Sequence, residues 1–395
     1  MPPNRRLLLT VLLAAASALA LACRPPEPAP GSDYRAAERP TAGPPRAYQL
    51  GFSATPSDLT NKAYVAAFNL ATEFGEALLL QRPPAWQSFL PNAKVADVVR
   101  DQTLSDREAA RARGLSLFVV LDVFDPASRD RLNGLPAEYR GRQLDDRDLR
   151  QALVADALFV ARNQQPEFLA IGNEINATFE RNPAAYAQFL TAYAEVYDAV
   201  KKASPSTKVF TTFQYEELLG VIPWEPPHAP RWELIGQFTE RLDLFAITTY
   251  PSFAFQVARK VPPLYYRQIR EQTALPIAFA AVGYSSTQGR DGVNSSTPPE
   301  QRRFVQRLFE DADWLGVELL IWFAGRDLNF AIGPPHDLIA GIGLRDGQDQ
   351  PKEAWPLWVE ASRRPLDRLI AERNRQAALA GGGAATPTPR PAPGR

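Results

Sequence analysis

A short polar motif follows a strongly apolar run near the middle of the chain. The run ends in Ile171-Gly172-Asn173-Glu174, which places an amide and a carboxylate where a buried strand would emerge. Burial at such a point removes water from an acid and raises its pKa, which is what a general acid needs at neutral pH. The same pair of residues could instead cap the helix that follows. Glu174 is therefore a candidate proton donor, with helix capping as the alternative.

A second apolar run, about a hundred residues later, ends without an acid. Residues 275–286 read LPIAFAAVGYSS, and no Asp or Glu occurs from Gln272 to Gly289. A shift of one residue in the alignment of this run therefore brings no carboxylate to its end.

These two segments resemble motifs of the retaining glycoside hydrolases built on (β/α)8 barrels, and most nearly those of the arabinogalactan endo-β-1,4-galactanase-like group. The resemblance covers about residues 50–355. It implies that Glu174 is the acid/base, that Asn173 donates to the sugar 2-OH, and that Ala281 occupies the position of the nucleophile. Retaining hydrolysis needs a second carboxylate roughly 5 to 5.5 Å from the acid, and alanine cannot attack an anomeric carbon. The resemblance predicts a barrel that binds a β-linked oligo- or polysaccharide, with retaining hydrolysis lost or impaired.

Other acids close or follow apolar runs and could reach the same cavity from different sides. They are Asp122, Asp125, Glu216, Glu217 and Asp327. An inverting arrangement, with roughly 6.5 to 9.5 Å between carboxyl groups, is compatible with such positions. An active glycosidase that pairs Glu174 with a relocated carboxylate such as Asp122, Glu216 or Asp327 therefore stays open. The commoner place for such acids is a solvated loop or a helix start.

Aromatic and amide side chains also follow the apolar runs. The aromatic residues are Trp86, Tyr215, Tyr250, Tyr284 and Trp322, and the amides are Gln81 and Gln214. Aromatic rings offer flat apolar faces to the C–H faces of pyranose rings, and amides bond to hydroxyl groups. By resemblance, Trp322 forms the floor of the subsite beside the scissile bond. The alternative for each aromatic residue is packing beneath the loops.

The elements that must position these residues alternate regularly. Eight short apolar runs, separated by segments with helical period, are the predicted strands. They span residues 48–52, 77–81, 115–124, 168–173, 207–213, 242–249, 276–282 and 317–323. Eight alternations in about 330 residues predict an α/β fold of the (β/α)8 TIM-barrel type, in which the chemistry lies at the C-terminal ends of the strands. A doubly wound open sheet is the alternative, but no Gly-rich phosphate turn follows an early strand.

Composition excludes several classes of function. Basic and acidic side chains both number 44 among 395 residues, so the electrostatic footprint of a nucleic-acid binder is missing. His228 and His336 are the only histidines, and both lie in proline-rich sequence. Neither a zinc triad nor a Ser-His-Asp triad has its parts. We expect no metal and no cofactor.

The two ends of the chain do not read as folded sequence. Arg5 and Arg6 precede an uncharged run at residues 7–22, which is typical of an export signal and short for a membrane span. The run ends at Cys23, the only cysteine, and resembles the bacterial lipoprotein signal, which implies acylation of Cys23 and an extracytoplasmic, lipid-anchored protein. We therefore divide the chain into a signal peptide at 1–22, a Pro-rich linker at 23–46, the barrel at 47–375 and a disordered Gly/Pro-rich tail at 376–395.

Three further hypotheses remain beside the sugar-binding barrel. One is the active glycosidase with a relocated carboxylate. Another is the loss of one Glu codon in an otherwise intact enzyme, for which Ala281→Glu or added azide would restore hydrolysis. The last is a scaffold lipoprotein without a ligand, because a fold alone never establishes function.

Overall fold

The computed structural model describes residues 39–238, 240–289, 294–330 and 336–380. Nine parallel strands form one sheet in the order β5-β4-β3-β2-β1-β9-β8-β7-β6. The strands are β1 Gln49–Ser53, β2 Ala77–Arg82, β3 Ser116–Leu121, β4 Phe168–Ile171, β5 Lys208–Phe210, β6 Thr212–Gln214, β7 Phe245–Thr249, β8 Ile277–Val282 and β9 Val317–Trp322. Their near-continuous apolar sequences match burial on both faces of a parallel sheet.

The ninth strand arises from a break in the fifth predicted strand. Thr211 separates β5, which pairs with β4, from β6, which pairs with β7. The two end strands of the sheet, β5 and β6, are therefore joined in the chain through Thr211, and β1 pairs with β9 on the opposite side. This closure confirms the predicted (β/α)8 barrel and excludes the open doubly wound sheet. Because of the break, the last three predicted strands are β7, β8 and β9.

Helices alternate with the strands. They are α1 Asn61–Phe74, α2 Trp86–Phe89, α3 Asp97–Ala112, α4 Arg147–Asn163, α5 Ile175–Arg181, α6 Pro183–Ala203, α7 Tyr215–Leu218, α8 Glu233–Gly236, α9 Ile269–Gln272, α10 Pro298–Leu315, α11 Trp355–Arg363 and α12 Arg368–Ala380. Local sequence explains several of the starts. The Asn182 side chain accepts from Ala185 N ahead of Pro183, and Thr60 caps α1 in the same way. Each such cap contributes about 1 kcal/mol to stability.

The interior of the barrel is packed with side chains and is not a pore. The Phe118 ring on β3 contacts the rings of Phe168 and Phe210 at centroid distances of 6.4 and 5.5 Å. A second apolar layer lies between the sheet and the helices and includes Phe189 of α6 and Trp358 of α11. Residues at the C-terminal ends of the strands are therefore held on a rigid support.

The first described residues and the C-terminal helices meet at the N-terminal ends of the strands. Arg46 is buried, its Nε donates to Ala361 O at 3.1 Å, and its backbone bridges to Leu366. Nearby, Arg364 forms an ion pair with Asp313 at 2.9 Å. The folded body thus begins before residue 47, where the sequence predicted linker. It also continues to the end of α12 at residue 380, five residues past the predicted end of the barrel at residue 375.

Some predicted features lie outside the described residues. These are the signal peptide, Cys23, most of the linker and the tail from residue 381 onward. Among the helices that are described, none is both long and apolar enough to cross a membrane.

Candidate functional site

The end of β4 turns sharply and directs two polar side chains into the mouth of the barrel. Gly172 has φ 77° and Glu174 has φ 52°, so two residues within three adopt left-handed backbone. A Cβ on Gly172 would lie 2.7 Å from both Ile175 Cγ2 and Phe189 Cζ, which leaves room for glycine only. The turn places Asn173 and Glu174 against a cavity at the barrel axis.

Glu174 is buried and both of its carboxylate oxygens accept hydrogen bonds. Arg129 Nη2 donates to Oε2 at 2.8 Å, and Thr248 Oγ1 donates to Oε1 at 2.8 Å. The Glu174 backbone N–H donates to Thr212 Oγ1 at 2.8 Å, and Thr212 in turn donates to Asn173 Oδ1 at 2.7 Å. In this arrangement Glu174 is a fixed acceptor, whereas a general acid must present a proton to its substrate.

Arg129 joins Glu174 to a second buried acid. Its Nη1 donates to Asp122 Oδ1 at 3.0 Å and to Asn173 O at 3.0 Å, while its own backbone is left-handed at φ 55°. Asp122 is completely buried, and burial raises its pKa to about 6 against the opposing effect of Arg129. Gln81 Nε2 donates to the other oxygen of Asp122 at 2.9 Å. Sequence reasoning did not single out Arg129, because an arginine in a loop carries no motif.

Glu174 and Ala281 line the same cavity, which we call the inner cavity. Thr248 of β7 is the register partner of Ala281 of β8, so the donor to Glu174 stands beside the alanine. The volume of the inner cavity is about 10 Å³, at the threshold for a single water molecule. Glu174 is the only Asp or Glu among the described residues that line it.

A second small cavity, the outer cavity, lies on the other side of Glu174 and has a volume of about 30 Å³. Glu217 lines it and forms an ion pair with Arg181 at 2.8 Å, while burial raises the pKa of Glu217. Trp224 also lines it, and its buried Nε1 has no acceptor among the described residues. Glu217 is thus the acid that the structure brings to Glu174, in preference to its sequence neighbour Glu216.

The relocated carboxylates considered from sequence have other partners. Glu216 is fully buried and accepts from Gln214, Thr249, Tyr265 and the Tyr250 backbone. Asp327 pairs with Lys352 at 2.6 Å, and Asp125 accepts from the turn that follows it and from Arg131. Asp122, Asp125, Glu216 and Asp327 line neither the inner nor the outer cavity. Each of these four acids is held by partners within the described structure.

Three of the predicted sugar-stacking residues are packed beneath the loops. Tyr215, Tyr284 and Trp322 are fully buried. Tyr215 OH donates to Tyr265 O, Tyr284 OH donates to Phe255 O at 2.6 Å, and Trp322 Nε1 donates to Ile342 O at 2.9 Å. These three rings line none of the described cavities, and their contact with a ligand stays a prediction.

The remaining predicted binding residues do line cavities. Tyr250 lines both small cavities, and Gln214 lines the outer one. Gln81 lines the inner cavity and also a much larger cleft, which Trp86 lines as well. The structure therefore divides these four residues between two sides of the mouth.

The larger cleft, which we call the lateral cleft, has a volume of about 510 Å³. It lies between β2, the loop and short helix α2 that follow β2, and helices α1 and α3. Leu79, Gln81 and Phe323 line both the lateral cleft and the inner cavity, so the two are neighbours. Sequence reasoning missed this cleft, because it arises from the packing of two helices against the barrel wall.

No cluster of three or more His, Cys, Asp or Glu residues in the described part of the chain is arranged to hold a metal ion. The acidic side chains around Glu174 form ion pairs with Arg129 and Arg181.

No protein-family model and no curated sequence matches the chain. Solved structures do match. The exo-β-1,4-mannosidase Op5Man5 from Opitutaceae bacterium strain TAV5 is 14% identical, with a TM-score of 0.59 over 88% of this chain and 63% of that one. GH5_18 from Bifidobacterium longum subsp. longum ATCC 55813 is 14% identical, with a TM-score of 0.56 over 85% and 90% of the two chains. The native xylanase 10B from Thermotoga maritima is 13% identical, with a TM-score of 0.56 over 84% and 96%. At these identities the likeness is one of fold, and the chain has the (β/α)8-barrel architecture found in these glycoside hydrolases.

Proposed function

We propose that this protein is a glycoside-hydrolase-like barrel that binds carbohydrate and in which retaining hydrolysis is lost or impaired. One observation carries the proposal. Glu174 and Ala281 line the same inner cavity, and no second acid is among the described residues that line it. A glycosyl-enzyme needs an attacking carboxylate, and a methyl group supplies none.

The contacts of Glu174 support the same conclusion independently. Arg129 and Thr248 occupy both carboxylate oxygens. These donors fix the orientation of the carboxylate, and the inner cavity beside it has room for about one water molecule. A glycosidic oxygen would therefore reach Glu174 only after rearrangement of the site.

The ligand class rests on the resemblance of the Gly-Asn-Glu motif and on the fold shared with glycoside hydrolases. We expect a β-linked oligo- or polysaccharide. The near balance of basic and acidic residues offers no long-range attraction for nucleic acid.

The location follows from the first 23 residues. We propose that Cys23 is acylated and tethers the barrel outside the cytoplasm, at a membrane of the bacterial envelope. Several acyl chains on one residue hold a protein stably, whereas one chain does so only marginally. Mass spectrometry of the N-terminal peptide tests this, and an unmodified Cys23 preceded by an uncleaved signal would contradict it.

The experiment that tests the main proposal measures binding and cleavage on the same samples. Purified protein is mixed with β-1,4-linked galactotetraose, mannotetraose and xylotetraose. Calorimetry follows binding, and a reducing-end assay follows cleavage. We expect saturable binding to at least one sugar without new reducing ends. Cleavage, or the absence of binding to all three sugars, contradicts the proposal.

A second candidate function is hydrolysis through a relocated carboxylate, and one observation favours it. Glu217 lines the outer cavity together with Glu174. If such an activity exists, Glu217→Gln abolishes it, while Asp327→Asn, which alters an acid outside the cavities, leaves it intact. A scaffold without a ligand is the outcome if neither binding nor cleavage is found.

A further inference from the structure

We infer that the lateral cleft, rather than the centre of the barrel mouth, is the carbohydrate-binding site, and that it takes a neutral, hydroxyl-rich ligand. This inference rests on the proposed function, which names carbohydrate without placing it. The cleft extends outside the barrel wall, between β2 and helices α1 and α3, where none of the predicted catalytic residues lies.

Size gives the first argument. The inner and outer cavities, of about 10 and 30 Å³, have room for one or two water molecules. The lateral cleft, of about 510 Å³, falls within the range of roughly 300 to 1,000 Å³ that small-molecule sites occupy. Among the cavities described, it alone accepts a sugar unit without rearrangement.

The amides of the cleft give the second argument. Gln102 Nε2 donates to Asp106 at 2.7 Å, and Gln81 Nε2 donates to Asp122 at 2.9 Å. Gln164 Nε2 lies 3.4 Å from the other oxygen of Asp106. Each carboxylate fixes the NH2 end of its amide, which leaves the amide oxygen as an acceptor. Oriented acceptors of this kind suit the hydroxyl groups of a ligand.

An unpartnered hydroxyl in the cleft points to a missing ligand group. Ser53, at the end of β1, is 3% exposed and lines the cleft. Its Oγ has no hydrogen-bond partner among the described residues. A buried hydroxyl left unpaired lowers stability, and a hydrogen bond from a polar ligand would remove that cost.

Aromatic residues on the walls of the lateral cleft give a further argument. Trp86 and Tyr64 both line the cleft. Trp86 Nε1 donates to Asn133 O at 2.6 Å, which fixes the plane of the ring. Trp86 is itself buried, so the aromatic surface open to a ligand is that of the half-buried Tyr64, which together with the hydrogen-bonding groups matches the two kinds of surface on a pyranose.

Charge favours a neutral ligand. Arg82 lines the cleft, but both of its terminal nitrogens donate to Asp156, at 2.9 and 2.7 Å. Asp106 is buried, and burial raises its pKa to about 7. Near neutral pH the positive charge of Arg82 is therefore balanced by Asp156, and the carboxyl group of Asp106 is partly protonated. It offers little free charge to an ionic ligand.

The test compares two cleft variants with matched controls. Val98→Trp places a large ring at the cleft from an exposed position, and Leu264→Trp is its control at an exposed apolar site elsewhere. Gln102→Leu replaces one amide of the cleft with an apolar side chain of similar size, and Gln306→Leu is its control on α10. Calorimetry with galactotetraose, mannotetraose and xylotetraose measures affinity, and thermal unfolding verifies that each variant is folded.

We expect Val98→Trp to weaken binding of the preferred tetraose by more than tenfold. Gln102→Leu should weaken it by about fivefold, the value of one neutral hydrogen bond. Both controls should stay within about twofold of the unaltered protein, the scatter expected of changes away from an interface. If Val98→Trp does not fold, Gln102→Leu still decides the question.

Two outcomes separate the two proposals. Binding by the unaltered protein that neither cleft variant weakens overturns this inference and leaves the proposed function standing. Failure of the unaltered protein to bind any of the three sugars contradicts the proposed function itself.

Discussion

The inner cavity and the lateral cleft lie next to each other but are built in opposite ways. At the inner cavity, Glu174 accepts hydrogen bonds from Arg129 and Thr248, and the space that remains holds about one water molecule. The lateral cleft is large, holds amides and an unpartnered hydroxyl, and contains an acid with no ion-pair partner among the described residues. Groups that satisfy one another stabilise a fold, whereas groups left unsatisfied are available to a ligand. The inner cavity is therefore the better suited of the two to stabilising the fold, and the lateral cleft the better suited to binding a ligand.

The largest expected effect comes from removing the arginine of the inner region. Arg129→Met leaves Asp122 and Glu174 buried without a counter-charge and should lower the free energy of unfolding by about 3–5 kcal/mol at pH 8. The loss should shrink at pH 5, because burial raises the pKa of Asp122 to about 6 and protonation then neutralises that stranded acid. Urea unfolding at both pH values measures it. Arg131→Met, whose partner Asp125 lies in an exposed pair, is the control and should cost less than about 1 kcal/mol. Equal losses of stability in the two variants would show that the buried ion pairs of Arg129 stabilise the fold no more than an exposed pair does.

The second prediction concerns the acid of the cleft. Burial raises the pKa of Asp106 from 3.8 to about 7, so the folded state binds its proton more tightly than the unfolded state. The contribution of Asp106 to stability is fully present below pH 4 and is lost as pH rises through 7. Over that window it amounts to at most about 4 kcal/mol.

Asp106→Asn should remove this dependence, which unfolding measured at intervals from pH 4 to 8 would reveal. The variant should therefore be more stable than the unaltered protein, relative to pH 4, once the pH exceeds 7. Parallel profiles for the two proteins would show that Asp106 is solvated or paired in solution.

The third prediction tests the turn that carries Glu174. Gly172→Ala adds a Cβ at φ 77° within 2.7 Å of two side-chain carbons. Strain and overpacking together should lower the free energy of unfolding by about 3 kcal/mol. Gly141→Ala is the matched control, because Gly141 has φ 83° and open space around the added Cβ. It should cost about 1 kcal/mol from backbone strain alone. A similar loss in both variants would mean that the turn is not tightly packed.

The fourth prediction asks whether the inner region is one substitution away from activity. Ala281→Glu must fit four more side-chain heavy atoms, a methylene and a carboxyl group, beside a cavity of about 10 Å³. It should cost about 2 kcal/mol in stability and restore no hydrolysis. Ala281→Ser, a small change at the same site, is the control. Turnover of an activated aryl β-glycoside by Ala281→Glu, or by the unaltered protein with azide, would instead indicate the loss of a single codon.

The strands were predictable because burial on both faces leaves a continuous apolar run. The predicted and observed starts of β2 and β9 coincide at Ala77 and Val317. The break at Thr211 was not predictable, since the run from residue 207 to 213 has no proline or glycine to mark it. The shared cavity of Glu174 and Ala281 was expected, because a barrel brings the C-terminal ends of its strands together.

Partners donated by loops were beyond the reach of the sequence. Arg129 reaches Glu174 from a loop after β3, and a loop carbonyl at Ile342 takes up Trp322 Nε1. A residue at the end of a strand faces the mouth only if the following loops leave it uncovered. The sequence pattern shows where a strand ends but not which loops lie over that end. It therefore gave no sign that a loop covers Trp322 or that Arg129 contacts Glu174.

The joint between Arg46 and the C-terminal helices has a consequence for how the molecule would be held. Arg46 bridges to Leu366 at the N-terminal ends of the strands, so the chain enters the barrel at the pole farthest from its mouth. If Cys23 is the tether, as proposed, the attachment reaches the barrel from the N-terminal ends of its strands, the end opposite to the one that carries Glu174.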